Sequence, residues 1–338
     1  MLTAPRTESQ ASALTVAVVI CTSSWEREPL LRACVDSVLA GERKPDELFV
    51  VVDTNPSLAA ELASSLPPQV QLLECGCQGL SAARNVGIAA AGCDIVAFLD
   101  DDATADPRWL ASVMEAYAAD EQLLGVGGPV VPNWAADRRW MPDELLWVVG
   151  CTYAGHRDDA GPIRNPIGCN MAFRRQELIA LGSFETSFGK RGKALATCDE
   201  TELGLRLERA HGPGRIRFIP EAAVHHHVPA ARISWRLLMR RSLSEGLAKG
   251  RLHRMYTTPA LGPERSYVRR LLTEAMPRLF IDGLRRRNRD AALGAAAIIA
   301  SLVVTGAAFM AGIASEARRA GQRTEIDGMD AGEPNATC

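Results

Sequence analysis

The stretch DIVAFLDDDATADP, residues 94–107, joins a run of apolar residues to three consecutive aspartates. A short, uniformly apolar run is typical of a β-strand that is buried on both faces of a sheet. Three adjacent carboxylates repel one another and raise one another's pKa unless a cation neutralises them. The stretch therefore predicts a buried strand whose carboxyl end presents Asp100, Asp101 and Asp102 to a bound cation.

An apolar strand followed by a helix rich in small residues recurs through residues 15–99. The predicted strands are VAVVIC, LFVVVD, VQLLE and DIVAFLD, and the predicted helices are PLLRACVDSVLA, LAAELASSL and LSAARNVGIAAA. This repeat predicts an α/β fold with a mostly parallel sheet that is flanked by helices. Because ligands of such sheets bind beyond the carboxyl ends of the strands, we expect Thr22 and Asp53 beside the three aspartates.

Composition limits the class of protein. The chain has 338 residues, 47% of them hydrophobic, so it is able to bury a large core. Its formal net charge of -2 gives no sign of a nucleic-acid partner. The nine cysteines form no CxxC pair, which fits a reducing cytosol better than a disulfide framework. The polar ends, residues 1–14 and 316–338, are predicted to be disordered, and the first shows no cleaved secretory signal.

The aspartate triplet predicts a site for Mg²⁺ or Mn²⁺, because these hard cations bind one or two carboxylates and complete their shell with substrate phosphates. In the alternative, Asp102 caps the following helix and its two neighbours are solvated. Neither GxGxxG after the first strand nor GxxxxGK[ST] is present, so the metal and side chains would hold the phosphates. Arg84 is a candidate for a diphosphate or ribose contact, or for a surface ion pair.

Five ordered blocks of the chain resemble the pattern of glycosyltransferase family 2, over residues 16–228. The blocks are VAVVICTSSWEREPLLRACVDSVL, VVVDTNP, GLSAARNVGIAAAGCDIVAFLDDDA, GCNMAFRR and CDETELGLRL. The resemblance implies the GT-A fold, which is Rossmann-like, over residues 15–230. It also implies transfer of a sugar from a UDP- or GDP-sugar donor that binds in the half formed by residues 15–131, with the acceptor bound by residues 132–230.

The resemblance also assigns roles to residues of the donor half. Asp53 matches the residue that contacts the nucleobase, and Arg84 matches a donor-site arginine. The ends of the family's DXD motif correspond to Asp100 and Asp102, with Asp102 as the principal metal ligand. Asp101 lies between them and is expected to contact the donor.

The acidic pair that supplies the family's catalytic base corresponds to Asp199 and Glu200, with the two acid types reversed. Glu200 occupies the base position and Asp199 is the alternative, so the identity of the base stays open. A carboxylate that accepts the acceptor hydroxyl's proton allows in-line attack on the anomeric carbon, which inverts its configuration. Without the family context, both acids would be explained by the dipole of a helix N-terminus.

Three further residues are site candidates. The resemblance places His226 or His227, in AVHHHVP, at a position where some family members add a metal or diphosphate contact. In the alternative, the histidine run at the end of a strand is partly exposed and binds no ligand. Asn170 would hydrogen-bond the acceptor or donor sugar. Trp140, like other tryptophans of residues 132–166, would stack on a sugar or an apolar acceptor chain, or simply pack in the core.

The C-terminal part combines a basic and an apolar segment. Residues 232–289 contain fifteen lysines and arginines against four acidic residues, and residues 291–315 carry no charge. The domain prediction therefore adds a basic helical extension over residues 231–290 and an apolar helix over 291–315. These features predict association with the inner, cytoplasmic face of the cell membrane, through anionic lipids and a helix long enough to span the bilayer. The alternative is a buried helix that closes the domain.

Together these observations predict a metal-dependent, inverting glycosyltransferase that acts on a lipid-linked or envelope glycan. One alternative is a sugar-phosphate nucleotidyltransferase, but the segment after the first strand lacks the basic glycine-rich loop that holds a triphosphate. Another is a membrane-tethered module that binds nucleotide sugars and has lost catalysis through the reversed acid pair.

Overall fold

The structure, a computed structural model, describes residues 13–138, 140–189, 197–256, 262–285 and 287–327, with side chains described to residue 316. Residues 1–12 of the predicted leader and 328–338 of the predicted tail lie outside the described residues.

The strands are β1 (Val16–Thr22), β2 (Glu47–Asp53), β3 (Val70–Cys75), β4 (Ile95–Asp100), β5 (Ala103–Ala105), β6 (Gly125–Gly127), β7 (Val130–Trp134), β8 (Gly161–Pro162), β9 (Asn170–Arg174), β10 (Ile216–Phe218) and β11 (Val224–Val228). The helices are α1 (Glu28–Ala40), α2 (Pro56–Ser65), α3 (Leu80–Ala90), α4 (Trp109–Ala119), α5 (Arg175–Ala180), α6 (Asp199–His211), α7 (Trp235–Tyr256), α8 (Gly262–Arg270), α9 (Met276–Arg285) and α10 (Arg289–Asp327).

Eight strands form the main sheet, in the order β3-β2-β1-β4-β9-β6-β10-β8. The first four strands are parallel, as the repeated strand-helix pattern predicts. Beyond β4 the sheet is mixed, because β9 enters antiparallel to both β4 and β6. The α/β prediction is therefore confirmed, with the parallel part confined mainly to the half that the strand-helix repeat builds.

The side chains on the two faces of β1 pack in two different hydrophobic cores, one on each side of the sheet. Val18 packs in the core that contains α1, α2 and α4, and Val19 packs in the core that contains α3 and α6. Burial of each valine stabilises the fold by about 1.5–3 kcal/mol. Gly87 lets α3 approach β1 closely, since a Cβ there would lie 2.5 Å from Val19 Cγ1. This close approach brings the start of α3 to the carboxyl edge of the sheet.

A second sheet, in the order β5-β11-β7, brings the histidine strand to the aspartates. β11 is antiparallel to β5, and His226 pairs with Ala103, the residue after the aspartate triplet. β11 is also parallel to β7. The imidazole of His226 is thereby fixed next to Asp102, although 124 residues separate them in the chain.

The C-terminal helices pack on this α/β body. α7 and α10 run parallel, and the Ser242 and Ser301 hydroxyls lie 2.8 Å apart between them. Small residues allow close contact, since a Cβ on Gly250 would clash with the backbone of α10. α10 continues to Asp327, whereas the polar composition predicts a disordered tail from residue 316. Alanine, arginine and glutamate in this segment favour continuation of the helix.

Candidate functional site

One cavity of about 1030 Å³ lies at the carboxyl edge of the parallel strands and extends to the C-terminal helices. Five of the predicted donor-site residues line it: Thr22, Asp53, Arg84, Asp100 and Asp101. Asp199, Glu200 and His226 line it as well. The structure therefore brings together side chains from β1, β2, α3, β4, α6 and β11, as expected for ligand binding at this edge.

Asp53 is positioned by the loop that precedes α3. Its Oδ2 accepts a hydrogen bond of 3.0 Å from the backbone N–H of Gly79. Gly79 has a φ of 137°, which favours glycine, and it immediately precedes the first residue of α3. Thr54, next to Asp53, also lies at positive φ, 48°. The turn thus fixes Asp53 at the rim of the cavity while leaving its Oδ1 accessible to a ligand or to Thr54.

The three aspartates have different surroundings. Asp100 is half-buried and faces the cavity. Burial raises the pKa of Asp101 to about 6, with Arg27 lowering it and Asp102 raising it further. Asp102 is buried and does not belong to the cavity lining. The triplet therefore presents mainly its first carboxylate to a ligand in this conformation.

Three cationic or potentially cationic side chains surround Asp102. His226 Nε2 lies 3.1 Å from Oδ1, and the guanidinium groups of Arg27 and Arg232 each lie 3.0 Å from Oδ2. Burial alone raises the pKa of the Asp102 carboxyl, but the hydrogen bond and charge of His226 and the two arginines outweigh burial and hold it well below its usual range. Asp102 is therefore a carboxylate neutralised by protein cations.

The residues present fit a divalent cation at the same edge. Ligand atoms of Asp100, Cys169 and His226 all lie within 4.8 Å of one another. Carboxylate and imidazole suit Mn²⁺, and carboxylate oxygen suits Mg²⁺. Asp102 adjoins His226, and its carboxylate would become a further ligand of the cation where Arg27 or Arg232 moves away. Asp100 and His226 thus face the cavity as candidate ligands, whereas Asp102, the predicted principal ligand, is paired with protein cations, and the metal site stays a prediction.

Asp199 is held by Arg84 at the first turn of α6. Arg84 Nη1 donates to Asp199 Oδ2 at 2.7 Å, and Ser81 Oγ lies 3.3 Å from the same oxygen. Burial raises the pKa of Asp199, but the charge of Arg84 together with hydrogen bonds from Glu200, Ser81 and the backbone outweighs burial, so the net pKa lies below its usual value. Arg84 also donates to Gly168 O at 2.8 Å and contacts Asp100 at 3.5 Å. Arg84 therefore links the acidic pair to the aspartate triplet.

Glu200 is the member of the pair that faces the cavity without an ion pair of its own among the described residues. Burial and the charge and hydrogen bond of Asp199 raise its pKa well above the usual value. A carboxyl group with a raised pKa is a stronger proton acceptor once it ionises. The geometry therefore pairs Asp199 with Arg84 and places Glu200 at the cavity, in hydrogen-bond contact with Asp199.

Two predicted acceptor residues do not line the cavity. Asn170 is buried, its amide donates to Pro129 O and Ala222 O at 3.1 and 2.8 Å, and its Oδ1 accepts from Trp109 Nε1 at 2.9 Å. These bonds join β9 to the surrounding loops and leave little capacity for a sugar. The structure thus supplies a structural role for Asn170, and an acceptor contact stays a prediction without a supporting distance.

Trp140 stacks on Trp235, with ring centroids 5.2 Å apart. This contact ties the irregular segment after β7 to the start of α7. Neither ring lines the cavity, so stacking on a ligand stays a prediction for Trp140.

Several residues of the site were missed by the sequence reasoning. Arg27 follows β1 and Arg232 follows β11, but no motif marks either as a partner of Asp102. A second group joins α7 and α8: Lys249 contacts Glu245 at 3.0 Å and Glu264 at 2.8 Å. These contacts depend on tertiary packing between distant segments, which the basic composition of residues 232–289 indicates only in outline.

The chain is similar to several known proteins. The model of Glycosyl transferase family 2 matches residues 17–182. A glucosyl-dolichyl phosphate glucuronosyltransferase of Haloferax volcanii is 31% identical over 245 residues, which cover 71% of this chain and 78% of that protein. Succinoglycan biosynthesis protein ExoM of Rhizobium meliloti is 30% identical over 254 residues, 71% of this chain and 75% of that protein.

Among solved structures, the fold is similar to that of the mannosyltransferase PcManGT from Pyrobaculum calidifontis, in complex with GDP-Man and Mn²⁺. The TM-score is 0.58 and the sequence identity 19%, and the alignment covers 87% of this chain and 88% of that one. The predicted GT-A fold is confirmed by this likeness together with the family match.

Proposed function

Because the chain belongs to glycosyltransferase family 2 and is a glycosyltransferase that uses a nucleotide-sugar donor, we propose that it transfers the sugar, with inversion, to a lipid-linked glycan in a metal-dependent reaction. The observation that supports this proposal most directly is the shared cavity of Asp53, Arg84, Asp100 and Glu200. In the proposal, Asp53 contacts the nucleobase and Arg84 lies beside the diphosphate. Asp100 binds the cation, and Glu200 accepts the proton of the attacking hydroxyl.

The donor occupies the edge of the parallel strands in this proposal. Asp53, fixed by Gly79, contacts the nucleobase of a UDP- or GDP-sugar. Arg84 lies deeper, between Asp100 and Asp199, where its guanidinium orients the acidic groups around the diphosphate. Thr22 supports this assignment, because its buried Oγ1 has no hydrogen-bond partner among the described residues and lines the same cavity.

A divalent cation, Mn²⁺ or Mg²⁺, would be held by Asp100 and His226, with Asp102 as a further carboxylate. When bound, it would neutralise charge on the departing diphosphate. The solved mannosyltransferase of similar fold contains Mn²⁺, which supports this cofactor class. Arg27 and Arg232 pair with Asp102 in the structure, so this carboxylate would contact the cation only after one of the two arginines moves away.

Glu200 is the proposed general base. Its carboxylate accepts the proton of the attacking hydroxyl, and Asp199 keeps Arg84 in place beside it. A single in-line displacement at the anomeric carbon requires one such base and inverts the configuration. Burial and the charge of Asp199 raise the pKa of Glu200, so its carboxylate is a stronger proton acceptor than an exposed one and must be ionised before the hydroxyl attacks.

The proposed acceptor is linked to a lipid and the proposed location is the inner face of the membrane. One relative is named as an enzyme that acts on glucosyl-dolichyl phosphate. Within the described residues, one helical segment, Arg289–Glu316, has the length and composition to cross a membrane. Large apolar side chains are also exposed on α9 and α10: Phe280, Ile281, Leu284, Leu293, Ile299, Val303 and Met310. Such a surface supports membrane contact.

The test is product analysis with the full-length protein in detergent, using UDP- and GDP-sugars, polyprenyl-linked glycans and Mn²⁺ or Mg²⁺. We expect a nucleoside diphosphate, a glycosylated lipid with inverted anomeric configuration, and loss of turnover with a chelator. Release of pyrophosphate would instead identify a nucleotidyltransferase. Retained configuration or full turnover without metal would refute the corresponding part of the proposal.

A further inference from the structure

The cavity continues beyond the proposed donor site into the C-terminal helices. At this end α7 contributes Leu237 and Arg241, and α10 contributes Ile298 and Leu302. Leu237, Ile298 and Leu302 thus form an apolar strip beside Arg241. The same end of the cavity is also lined by polar and charged side chains: Glu245, Lys249, Glu264, Ser301 and Thr305.

Arg241 is a half-buried cation with an unused donor. Its Nε is buried and has no hydrogen-bond partner among the described residues. Its guanidinium charge acts on Glu245, one helical turn further along α7, and helps to lower the pKa of that carboxyl. By contrast, Arg84, Arg232 and Lys249, which line the same cavity, each contact a carboxylate within 4 Å. Leaving a buried donor unsatisfied is costly, and a guanidinium group binds phosphate through parallel hydrogen bonds. An anion that enters the cavity would remove this cost.

Arg241 on α7 and the proposed base Glu200 on α6 line the same cavity. Glu245 follows Arg241 by one helical turn and is held by Lys249 at 3.0 Å. Burial and Asp199 contribute most to the raised pKa of Glu200, and the charge of Glu245 raises it further. A phosphate bound by Arg241 would therefore share one cavity with Glu200.

The apolar lining next to Arg241 is suited to a hydrocarbon chain. Ile298 is fully buried and Leu302 is partly buried. On the outer side of the same helix, Ile299 and Val303 are 51% and 65% exposed. An apolar chain that leaves the cavity beside α10 would therefore meet an apolar surface.

We propose that Arg241 binds the phosphate of an amphiphilic acceptor, whose hydrocarbon chain lies along Leu237, Ile298 and Leu302. The inference rests on the proposed lipid-linked acceptor and adds the residue that recognises its phosphate. It assigns the phosphate to Arg241 and the hydrocarbon chain to α10, because a guanidinium Nε without a hydrogen-bond partner and three apolar side chains line one cavity. A free phosphate would use the guanidinium alone.

The test titrates farnesyl phosphate, farnesol and inorganic phosphate calorimetrically into the full chain in dodecyl maltoside. The wild-type protein is expected to bind farnesyl phosphate about tenfold or more tightly than either other probe. Arg241→Gln should lose about tenfold in farnesyl phosphate affinity and leave farnesol unchanged, since it removes charge-assisted hydrogen bonds. Arg236→Gln, an exposed position on the same helix, is the matched control and should leave all affinities unchanged.

Binding of UDP- and GDP-sugars to the same samples separates the two proposals. Unchanged donor binding in Arg241→Gln shows that the variant is folded, so unchanged farnesyl phosphate affinity would overturn the inference. Equal affinity of the wild type for farnesyl phosphate and inorganic phosphate would overturn the assignment of the chain. Farnesyl phosphate binding that depends on Arg241, without binding of any nucleotide sugar, would support the inference and refute the proposed function. Should the glutamine variant not fold, Arg241→Lys decides the test: about threefold weaker farnesyl phosphate binding supports the inference, and wild-type affinity overturns it.

Discussion

Replacement of Arg84 by methionine tests whether this guanidinium holds the site together. The side chain is 2% exposed and contacts Asp199 at 2.7 Å, Gly168 O at 2.8 Å and Asp100 at 3.5 Å. Methionine fills part of the volume but leaves the buried Asp199 carboxylate without its cation. Breaking a buried pair from one side costs about 3–5 kcal/mol, so we expect the free energy of unfolding to fall by that amount.

The assay is urea or thermal unfolding of the full chain in detergent, at neutral and acidic pH. Arg108→Met is the matched control, because Arg108 pairs with Glu115 at 3.0 Å where both side chains are exposed, and such pairs contribute about 1 kcal/mol or less. The pKa of Asp199 is lower in the folded protein than in the unfolded chain, where it is about 3.9. The pair with Arg84 therefore stabilises the wild type fully above this unfolded value, and its contribution is lost as the pH falls from there through the folded pKa. The difference between wild type and Arg84→Met should therefore shrink below about pH 4. If the free energy of unfolding at neutral pH falls by no more in Arg84→Met than in Arg108→Met, the Arg84 guanidinium does not hold the site together.

Three other perturbations address the base, the packing and the membrane surface. Asp199→Asn removes a charge that raises the pKa of Glu200, so the acidic limb of the kcat–pH profile should move to lower pH; an unmoved limb would contradict Glu200 as the titrating base. Gly87→Ala places a methyl group 2.5 Å from Val19 Cγ1 and should destabilise the protein by about 1–3 kcal/mol in urea unfolding, and Val19→Ala should restore part of that loss if the contact is its cause. Phe280→Asp changes a side chain that is 64% exposed, so it should lower sedimentation with anionic vesicles at high salt without changing the unfolding midpoint; unaltered sedimentation would remove Phe280 from the membrane surface.

The parallel half of the fold follows from local sequence because its signals are local. β1, β2 and β4 are largely continuous apolar runs, and each ends on a residue that lines the cavity, such as Thr22 or Asp53. The mixed half is different. β6, β8 and β10 are two or three residues long, too short for a periodic pattern to identify their partners or direction.

The partners of site residues were the least predictable part. Asp102 has its cations from Arg27 and Arg232, which lie 75 residues before it and 130 residues after it in the chain. For Asn170 the sequence could not show that the side chain already has partners. A hydrogen bond to a sugar is predicted for its amide, whereas tertiary packing satisfies that amide within the protein. A sequence gives the type of group that is available, and only packing decides whether its hydrogen bonds remain free.

The most direct test of the central claim is the single-turnover rate of sugar transfer by Glu200→Gln, with donor affinity measured on the same sample. Glutamine preserves the shape of the side chain but cannot accept the proton. We expect a rate about 10²–10⁴-fold below that of the wild type, with donor affinity changed by about twofold or less. A rate within about tenfold of the wild type, at unchanged donor affinity, would contradict Glu200 as the base of this glycosyltransferase.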